Sequence, residues 1–392
     1  MYINFWYPIV LCKDLGALPQ KVRILSHDFV VFRDEQGTPA VLSDTCGHRG
    51  ASLSAGKCKE DGTIQCPYHG WRYNTKGVCT LIPSIGKTTK PPPRARVDSY
   101  PVQEKHGIVF AFLGDLPEAE RPPIMPIPEA EDPQWRPTLL TFDVNYYYER
   151  SIENGLDPAH NEYVHPTHGH SGEREDTYIM TDLRPHQNNI WGNGFLSSFD
   201  APPIRSRFWK LFRKPGGKME AGSGTYGPNH MWTYINFNAK TGIHQFMFEA
   251  PIDEHNTRIF LLCYRNLGFF RIDRAGFLGK IFKPFLNRLI DKKIDQRNMV
   301  IAMQDVKVIN NLKPTLTPPL RTRELMMPAD RVIHEYRDKL LSFEERGWRI
   351  DLPALRKAHE TGDVIYAIPS PERRQLNTWV LENVPLIAKS EA

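Results

Sequence analysis

The chain has 392 residues, of which 40% are hydrophobic, 24% charged and 11% aromatic, and its formal net charge is +5. This length allows two or three ordinary domains with sizeable cores. So small a net charge argues against a nucleic-acid-binding protein, which would need a concentrated basic face. No apolar run in the sequence approaches the roughly eighteen residues that indicate a membrane span.

The N-terminus and the cysteines indicate the cellular compartment. Residues Met1–Val10 lack the basic region, apolar block and small-residue cleavage site of a signal peptide. Four of the six cysteines, Cys12, Cys58, Cys79 and Cys263, follow no regular framework and are expected to be reduced thiols. We therefore expect a cytoplasmic protein.

The first part of the chain alternates short apolar stretches with turn residues, which is typical of an all-β module. The predicted strands are Lys21–Leu25, Phe29–Arg33, Ala40–Ser43 and Gly107–Leu113. We expect this module to span residues 1–115. Residues 116–137 contain seven prolines and are predicted to form an extended linker.

Two half-motifs inside this module carry metal-binding chemistry. Cys46–His48 is a C-x-H pair, and Cys66–His69, seventeen residues further on, is a C-x-x-H pair. In a Rieske centre, two histidines replace two cysteines on one iron of a two-iron, two-sulfur cluster. Each half-motif would then give one Cys to one iron and one His to the other. A structural zinc site with the same four ligands is the alternative, although zinc sites usually use C-x-x-C halves.

After the linker the pattern predicts strands first and helices later, which favours an α+β domain over residues 138–392. The predicted strands are Thr138–Tyr148, Ile190–Phe199, Met231–Phe237, His244–Pro251 and Thr257–Arg265, and the predicted helices are Phe277–Ile294, Ile294–Leu312 and Asp330–Arg346. Region 200–230, rich in Pro and Gly, is interpreted as a long loop that borders the substrate site. The basic amphipathic helix 277–294 could lie on a membrane surface, but packing on its own domain is the commoner arrangement.

A second candidate metal site begins with two histidines. His160 and His165 are five residues apart and would diverge by about 140° on a straight helix. Both can bind one ion only if the helix ends before His165, which Pro166 favours. Asn154, Asp157 and His160 follow at intervals of three and would share one helix face. Alternatively, Asp157 could cap a helix that starts at the next residue.

The third ligand is predicted on a later helix. Asp305 lies on an apolar stripe formed by Ile301, Ala302, Val308, Ile309 and Leu312. Burying a carboxylate costs several kcal/mol unless it is paired or metal-bound. Two His and one carboxylate form the facial triad of non-haem iron(II) oxygenases. An ion pair between Asp305 and a distant arginine is the alternative.

Together these motifs resemble the α subunit of the Rieske non-haem iron oxygenases, most closely the vanillate and dicamba demethylase type. The resemblance extends from Phe5–Pro8 to the last helices. Respiratory Rieske proteins have an extra Cys in each cluster loop, where this chain has Arg49-Gly50 and Tyr68. The resemblance implies an all-β Rieske domain, then an antiparallel-sheet catalytic domain of helix-grip type with C-terminal helices.

The resemblance also implies the cofactors and their ligands. A Rieske [2Fe–2S] cluster would be held by Cys46, His48, Cys66 and His69, and a mononuclear Fe(II) by His160, His165 and Asp305. Asp157 and Asn154 are candidate catalytic residues, because in the family the Asp bridges the iron site to a cluster His of the neighbouring subunit in a homotrimer. An NAD(P)H-dependent reductase or a ferredoxin would supply electrons.

The expected substrate is an apolar or aromatic organic compound that reacts with O₂. Candidate pocket aromatics are Phe195, Phe199, Trp232, Tyr234, Phe246 and Phe248. Oxidative demethylation, monohydroxylation and cis-dihydroxylation share the same iron site, so the sequence leaves them open. A Rieske electron-transfer protein without oxygenase activity is the alternative from another class.

Overall fold

The computed structural model describes residues 1–166, 170–180, 182–200, 218–238, 241–267, 276–316, 324–362, 364–376 and 379–388. It forms two compact units. The first contains Met1–Ile124, Ala250–Glu254 and Leu341–Ala392, and the second contains Met125–Glu249 and His255–Leu340. This grouping differs from the predicted division, which assigned residues 341–392 to the second domain.

The C-terminal residues join the first unit because they bond directly to its N-terminal half. The Ile3 N–H donates to the Trp348 carbonyl at 2.8 Å, and the Tyr100 hydroxyl donates to the Ile368 carbonyl at 2.7 Å. Ile3 and Ile368 are both buried. These contacts link positions more than 260 residues apart, which local sequence patterns do not reveal.

The part of the first unit that precedes the linker consists of short antiparallel sheets. Its strands before the linker are β1 Phe5–Leu11, β2 Gln20–Ile24, β3 His27–Arg33, β4 Pro39–Ser43, β5 Lys57–Cys58, β6 Ile64–Gln65, β7 Arg72–Tyr73, β8 Cys79–Leu81, β9 Ser99–Tyr100, β10 Val102–Lys105 and β11 Ile108–Leu113. The sheet orders are β1-β11-β10, β2-β3-β4-β9 and β5-β6-β7-β8. The four strands predicted here from β-branched and aromatic residues are confirmed to within a few residues.

The second unit is built on one seven-stranded sheet in the order β12-β18-β17-β16-β15-β14-β13. Its strands are β12 Arg136–Val144, β13 Arg184–Pro185, β14 Phe195–Asp200, β15 Lys218–Tyr226, β16 His230–Asn238, β17 Thr241–Pro251 and β18 Thr257–Asn266. The prediction of an α+β fold with this kind of sheet is confirmed. The predicted strand Thr138–Tyr148 was too long, because Tyr148 already begins a helix.

The interpretation of region 200–230 as a loop is wrong for its second half, where β15 lies. Residues 201–217 are outside the described part of the chain. A Cβ on Gly224 would overlap the Trp232 ring, and a Cβ on Gly222 would overlap the Phe195 carbonyl. The glycines that suggested a loop are therefore needed for close packing inside the sheet.

The helices are α1 Tyr148–Leu156, α2 Asn161–Val164, α3 Gly276–Ile309, α4 Arg331–Glu345 and α5 Leu352–Thr361. The two helices predicted over 277–312 are one continuous helix, α3. After α5, the short strands β19 Tyr366–Ala367 and β20 Glu382–Asn383 pair in parallel. In the described part of the chain, no helix combines the length and apolar character needed to cross a membrane.

Candidate metal centres

The two Cys/His half-motifs lie on loops of the first unit that share one backbone design. In each loop the N–H of the Cys donates to the carbonyl five residues on, at 2.9 Å from Cys46 and 2.8 Å from Cys66. The residue four positions after each Cys, Gly50 or Gly70, has φ of +72° and donates back to the Cys carbonyl. Glycine adopts this left-handed conformation without strain.

The donor atoms divide into a buried pair and an exposed pair. Cys46 and Cys66 are each 2% exposed and belong to the apolar core of the unit. His48 and His69 lie at the surface with their Nδ1 atoms 3.1 Å apart, and the His48 ring stacks on Trp71. Burial raises the pKa of the Cys46 thiol, and the nearby Cys66 raises it further. Two buried thiols and two exposed imidazoles, carried in pairs on two similar loops, fit a cluster of mixed Cys/His ligation.

The second candidate centre begins where α1 ends. Helix α1 stops at Leu156, and Asp157 has extended backbone angles. Its carboxylate Oδ1 accepts a bond from the Ala159 N–H at 2.7 Å, whereas its backbone carbonyl lies 2.5 Å from His160 Nδ1. The backbone carbonyl of Asp157 therefore engages the imidazole of His160. Asn154, Asp157 and His160 consequently do not share one helix face.

The helix that follows His160 ends before His165, as the sequence requires if both imidazoles are to bind one ion. Helix α2 ends at Val164, and His165 leaves helical geometry with φ −114° and ψ 69°. Its Nδ1 lies 3.1 Å from Gln304 Oε1 on α3. The Nε2 atoms of His160 and His165 then face each other at 3.2 Å.

Asp305 on α3 completes the group. Its Oδ1 is 3.2 Å from His165 Nε2 and 3.7 Å from His160 Nε2, and the three ligand atoms lie within 4.8 Å of one another. This oxygen is buried and has no hydrogen bond of normal geometry in the described part of the protein. Two imidazoles fixed through Nδ1 and an unsatisfied carboxylate oxygen fit a divalent metal ion.

The pKa values of the two imidazoles shift in opposite directions. Burial lowers the pKa of His160, although Asp305 and Asp157 oppose this. Burial would also lower the pKa of His165, but the Asp305 carboxylate, whose Oδ1 lies 3.2 Å from His165 Nε2, outweighs burial and raises it. The shorter distance to Asp305 explains the difference.

The apolar stripe around Asp305 is only partly buried. Ile301, Ala302 and Ile309 line an internal cavity together with Asp305. Val308 and Leu312 are 39% and 37% exposed, so the prediction that they belong to the buried stripe is wrong. Val308 is the next-to-last residue of α3 and Leu312 lies beyond the end of the helix, so neither is covered by a following helical turn.

The three residues His160, His165 and Asp305 line a cavity of about 250 Å³ in the second unit. Phe195 and Phe199 of β14 line it as predicted. The prediction is wrong for the other four aromatics, because strand side chains alternate between faces. On β16 and β17 the cavity is lined instead by the odd-numbered residues Met231, Thr233, Ile235, Phe237, Ile243, Gln245 and Met247.

The even-numbered aromatics pack together away from the cavity. The rings of Trp232 and Tyr234 are 4.6 Å apart, and Tyr234 stacks on His244 at 4.1 Å. Phe246 and Phe248 are also buried. The sequence analysis predicts neither the contact between Gln304 and His165 nor the polar lining residues Ser197, Ser223 and Asn298. Along β14, every second residue from Phe195 lines the cavity. This alternation is the sequence signal that could have identified the cavity-facing positions of the strands.

A buried carboxylate holds the segment after His165 in place. Glu162 accepts hydrogen bonds from His170 Nδ1 at 2.8 Å, from Arg174 Nη2 at 2.6 Å and from the Ser171 hydroxyl at 3.1 Å. Burial would raise the pKa of Glu162, but these donors lower it well below its usual range. His170 thereby reaches the cavity wall. His168 lies outside the described residues.

A second buried carboxylate lies behind α1. The Ser151 hydroxyl, which lines the cavity, donates to Glu249 Oε1 at 2.6 Å. Glu249 is completely buried, and its Oε2 has no hydrogen-bond partner in the described residues. Burial raises the pKa of Glu249 to about 8, whereas the Ser151 bond lowers it. This side chain is therefore protonated at neutral pH.

Two family models match the chain in agreement with this geometry. The Rieske [2Fe-2S] domain matches residues 5–101. The vanillate O-demethylase oxygenase C-terminal domain matches residues 144–346, more than half of the chain. The chain belongs to the Rieske oxygenase family. This family combines a Rieske [2Fe–2S] cluster with a mononuclear iron in the catalytic domain.

Curated relatives of this Rieske oxygenase include dioxygenases and monooxygenases. Phenoxybenzoate dioxygenase subunit alpha of Ectopseudomonas oleovorans is 34% identical over 179 residues, covering 42% of this chain and 43% of the relative. Chlorophyllide a oxygenase of Arabidopsis thaliana is 28% identical over 306 residues, covering 77% of this chain and 52% of the relative. The chain thus spans about half of the length of these relatives.

Solved structures show the same fold at lower identity. NdmA of Pseudomonas putida CBB5 with caffeine has a TM-score of 0.65 and 23% identity, covering 86% of this chain and 89% of NdmA. Dicamba monooxygenase bound to 3,6-dichlorosalicylic acid has a TM-score of 0.64 and 21% identity, covering 87% of this chain and 96% of the enzyme.

Proposed function

We propose that this Rieske oxygenase is a terminal oxygenase that uses O₂ to hydroxylate or oxidatively demethylate a small, largely apolar organic compound. The observation that carries the proposal is the meeting of His160 Nε2, His165 Nε2 and Asp305 Oδ1 within 4.8 Å at a cavity wall. These are the donors of the two-histidine, one-carboxylate facial triad. When Fe(II) is bound there, it supplies the O₂ chemistry, and the Rieske cluster supplies single electrons.

The remaining residues of the site have positioning roles in this proposal. The Asp157 carbonyl and the Gln304 side chain engage the Nδ1 atoms of the two imidazoles, so each ring presents Nε2 to the metal. Such partners fix the orientation of ligand rings and raise their basicity. Asn154 lines the same cavity and could contact substrate.

We further propose Cys46, Cys66, His48 and His69 as the cluster ligands. The buried thiols and the paired exposed Nδ1 atoms support this assignment. Exposed imidazoles would leave that edge of the cluster accessible to an electron donor. We infer that the donor is an NAD(P)H-dependent reductase or a ferredoxin, which the family relationship supports.

The cavity supports a compact substrate with more apolar than polar surface. Met180, Met231, Ile235 and Ile259 contribute apolar walls, and Thr233 adds a hydroxyl. A volume of about 250 Å³ lies just below the usual range of ligand pockets. The match to the vanillate O-demethylase oxygenase C-terminal domain supports demethylation, and the relative named tert-butanol monooxygenase supports monooxygenation. Cis-dihydroxylation is the alternative, as in the relative named 3-chlorobenzoate-3,4-dioxygenase.

We also propose a homotrimer in which Asp157 bridges the iron site to the cluster of a neighbouring subunit. Its Oδ1 accepts one backbone bond, and a carboxylate has further acceptor positions for an imidazole N–H. A cytoplasmic location remains a prediction from the sequence.

Iron analysis tests the proposed function directly. Protein reconstituted with iron and sulfide under anaerobic conditions should contain about three irons per chain, whereas an electron carrier would contain about two. Asp305→Ala should lose one iron and O₂-dependent turnover but keep the visible spectrum and rhombic EPR signal of the cluster. Asp143→Ala is the matched control, because this carboxylate is half-exposed and pairs with Arg258.

If Asp305→Ala kept normal iron content and activity, the assigned triad would be wrong. A colourless protein that bound only zinc would overturn the proposal as a whole. Turnover of a panel of aromatic, terpenoid and N- or O-methyl compounds, with a surrogate reductase, would then identify the substrate class.

A further inference from the structure

The C-terminal segment lies against the first cluster loop and outside both family matches. We define the C-terminal strap as residues 364–376 and 379–388, which follow the last residue, 346, of the second family match. We propose that the C-terminal strap restrains the Cys46–Gly50 loop, limits water at the cluster and so lowers its reduction potential. This inference rests on the proposed cluster ligands.

The C-terminal strap is anchored by a buried ion pair. Arg373 donates from Nε and Nη2 to the two carboxylate oxygens of Asp98, each at 2.7 Å. The Asp98 side chain is fully buried and that of Arg373 is 8% exposed. The Ser370 hydroxyl adds a bond to Asp98 at 2.8 Å. A bidentate, desolvated pair of this kind is among the stronger polar contacts in proteins.

Stacked side chains connect this ion pair to the cluster loop. The guanidinium of Arg373 lies 4.7 Å from the Trp379 ring centroid, and that of Arg96 lies 5.4 Å from the same ring. A Cβ on Gly47 would lie 3.1 Å from the Arg96 carbonyl oxygen. Arg96 therefore contacts the loop with its backbone and the C-terminal strap with its side chain.

Two apolar side chains of the C-terminal strap contact the loop at Gly47 and Gly50. A Cβ on Gly50 would lie 3.3 Å from Ile365 Cδ1, and one on Gly47 would lie 3.9 Å from Val380 Cγ2. Ile365 and Val380 are each 48% exposed, so about half of each side chain is covered. The glycines on either side of His48 thus allow the C-terminal strap to approach the loop backbone closely.

The charge of the cluster determines how solvent access changes its reduction potential. With two thiolates and two neutral imidazoles, the cluster is neutral when oxidised and carries one negative charge when reduced. Water stabilises the charged state more than the neutral one, so solvent access raises the reduction potential. An apolar cover therefore lowers the potential.

The test compares Ile365→Ser/Val380→Ser with the wild type and with Leu18→Ser, an apolar-to-serine change at a 77% exposed site of the same unit. Spectroelectrochemical titration of the cluster needs no substrate or mononuclear iron. We expect a higher potential in the double variant and an unchanged potential in Leu18→Ser. An unchanged potential in the double variant, with full cluster content, would overturn the inference.

A second variant tests the anchor. Arg373→Ala should release the C-terminal strap, and the visible absorption of the cluster should disappear several-fold faster in the presence of an iron chelator. Arg373→Lys, which keeps the charge but not the bidentate pair, should show an intermediate rate. Equal rates in all three proteins would contradict the inference. A wild-type protein that bound no cluster would overturn both this inference and the proposed function.

Discussion

The protonated carboxyl of Glu249 gives a pH-dependent prediction whose size follows from its burial. The side chain has no exposed surface, and within the described residues the Ser151 hydroxyl donates to its carboxyl group at 2.6 Å. Burial without a cation raises its pKa from 4.5 to about 8. Glu249→Gln keeps the shape and the acceptor for Ser151 but cannot ionise.

The direction in which stability changes with pH follows from the number of protons that the folded and the unfolded states bind. Between pH 4.5 and about 8, Glu249 is ionised in the unfolded chain but protonated in the folded one. The folded state then binds more protons, so the wild type loses stability as pH rises through this window. The free energy of unfolding of the wild type falls by about 1.4 kcal/mol per pH unit, and the total decrease is roughly 5 kcal/mol at most.

Urea unfolding of the metal-free protein at several pH values between 5 and 9 measures this effect. We expect the stability of Glu249→Gln relative to wild type to increase by about 1.4 kcal/mol per pH unit up to pH 8 and then to level off. Glu220→Gln, at a partly exposed carboxylate of the same sheet that pairs with Arg184, should show no such slope. Parallel curves for Glu249→Gln and wild type would refute the burial argument.

Three further predictions concern the site and the sheet. Gln304→Ala removes the Nδ1 partner of His165 and should weaken iron binding about 10- to 100-fold in a titration of metal-free protein; an unchanged Kd would exclude this role. Asp157→Asn should keep both metals but slow single-turnover oxidation of the pre-reduced cluster, whereas a wild-type rate would indicate only a turn-capping role. Gly224→Ala should destabilise by about 1–3 kcal/mol through overpacking, compared with Gly16→Ala, where a Cβ meets open space.

The sequence was most informative where a chemical requirement was local. A single helix could not direct His160 and His165 at one ion, so a break was required, and α2 ends at Val164. Asp305 was identified because a carboxylate between apolar positions needs a partner. Its distance from the two imidazoles depends on how α3 lies against α1 and α2, which no local pattern specifies.

The cavity walls could not be predicted from residue type alone. Trp232 and Tyr234 are large aromatics, as a substrate pocket would favour, yet they pack against other aromatics. Thr233 and Met231, between them in sequence, face the cavity. A shift of one residue moves every side chain of a strand to the other face, so face assignment required the three-dimensional sheet.

The break between α1 and α2 explains why so many buried polar groups surround this site. Interrupting a helix leaves backbone groups without their helical partners, and burying such groups is costly. Here the Asp157 carboxylate bonds the Ala159 N–H, and Tyr178 donates to the Pro158 carbonyl at 3.0 Å. Glu162 fixes the segment that follows. Asp157 therefore serves both purposes, because its carboxylate stabilises the irregular backbone and its carbonyl engages the His160 imidazole. The His165 imidazole depends instead on Gln304, which lies on α3 and not on the interrupted segment.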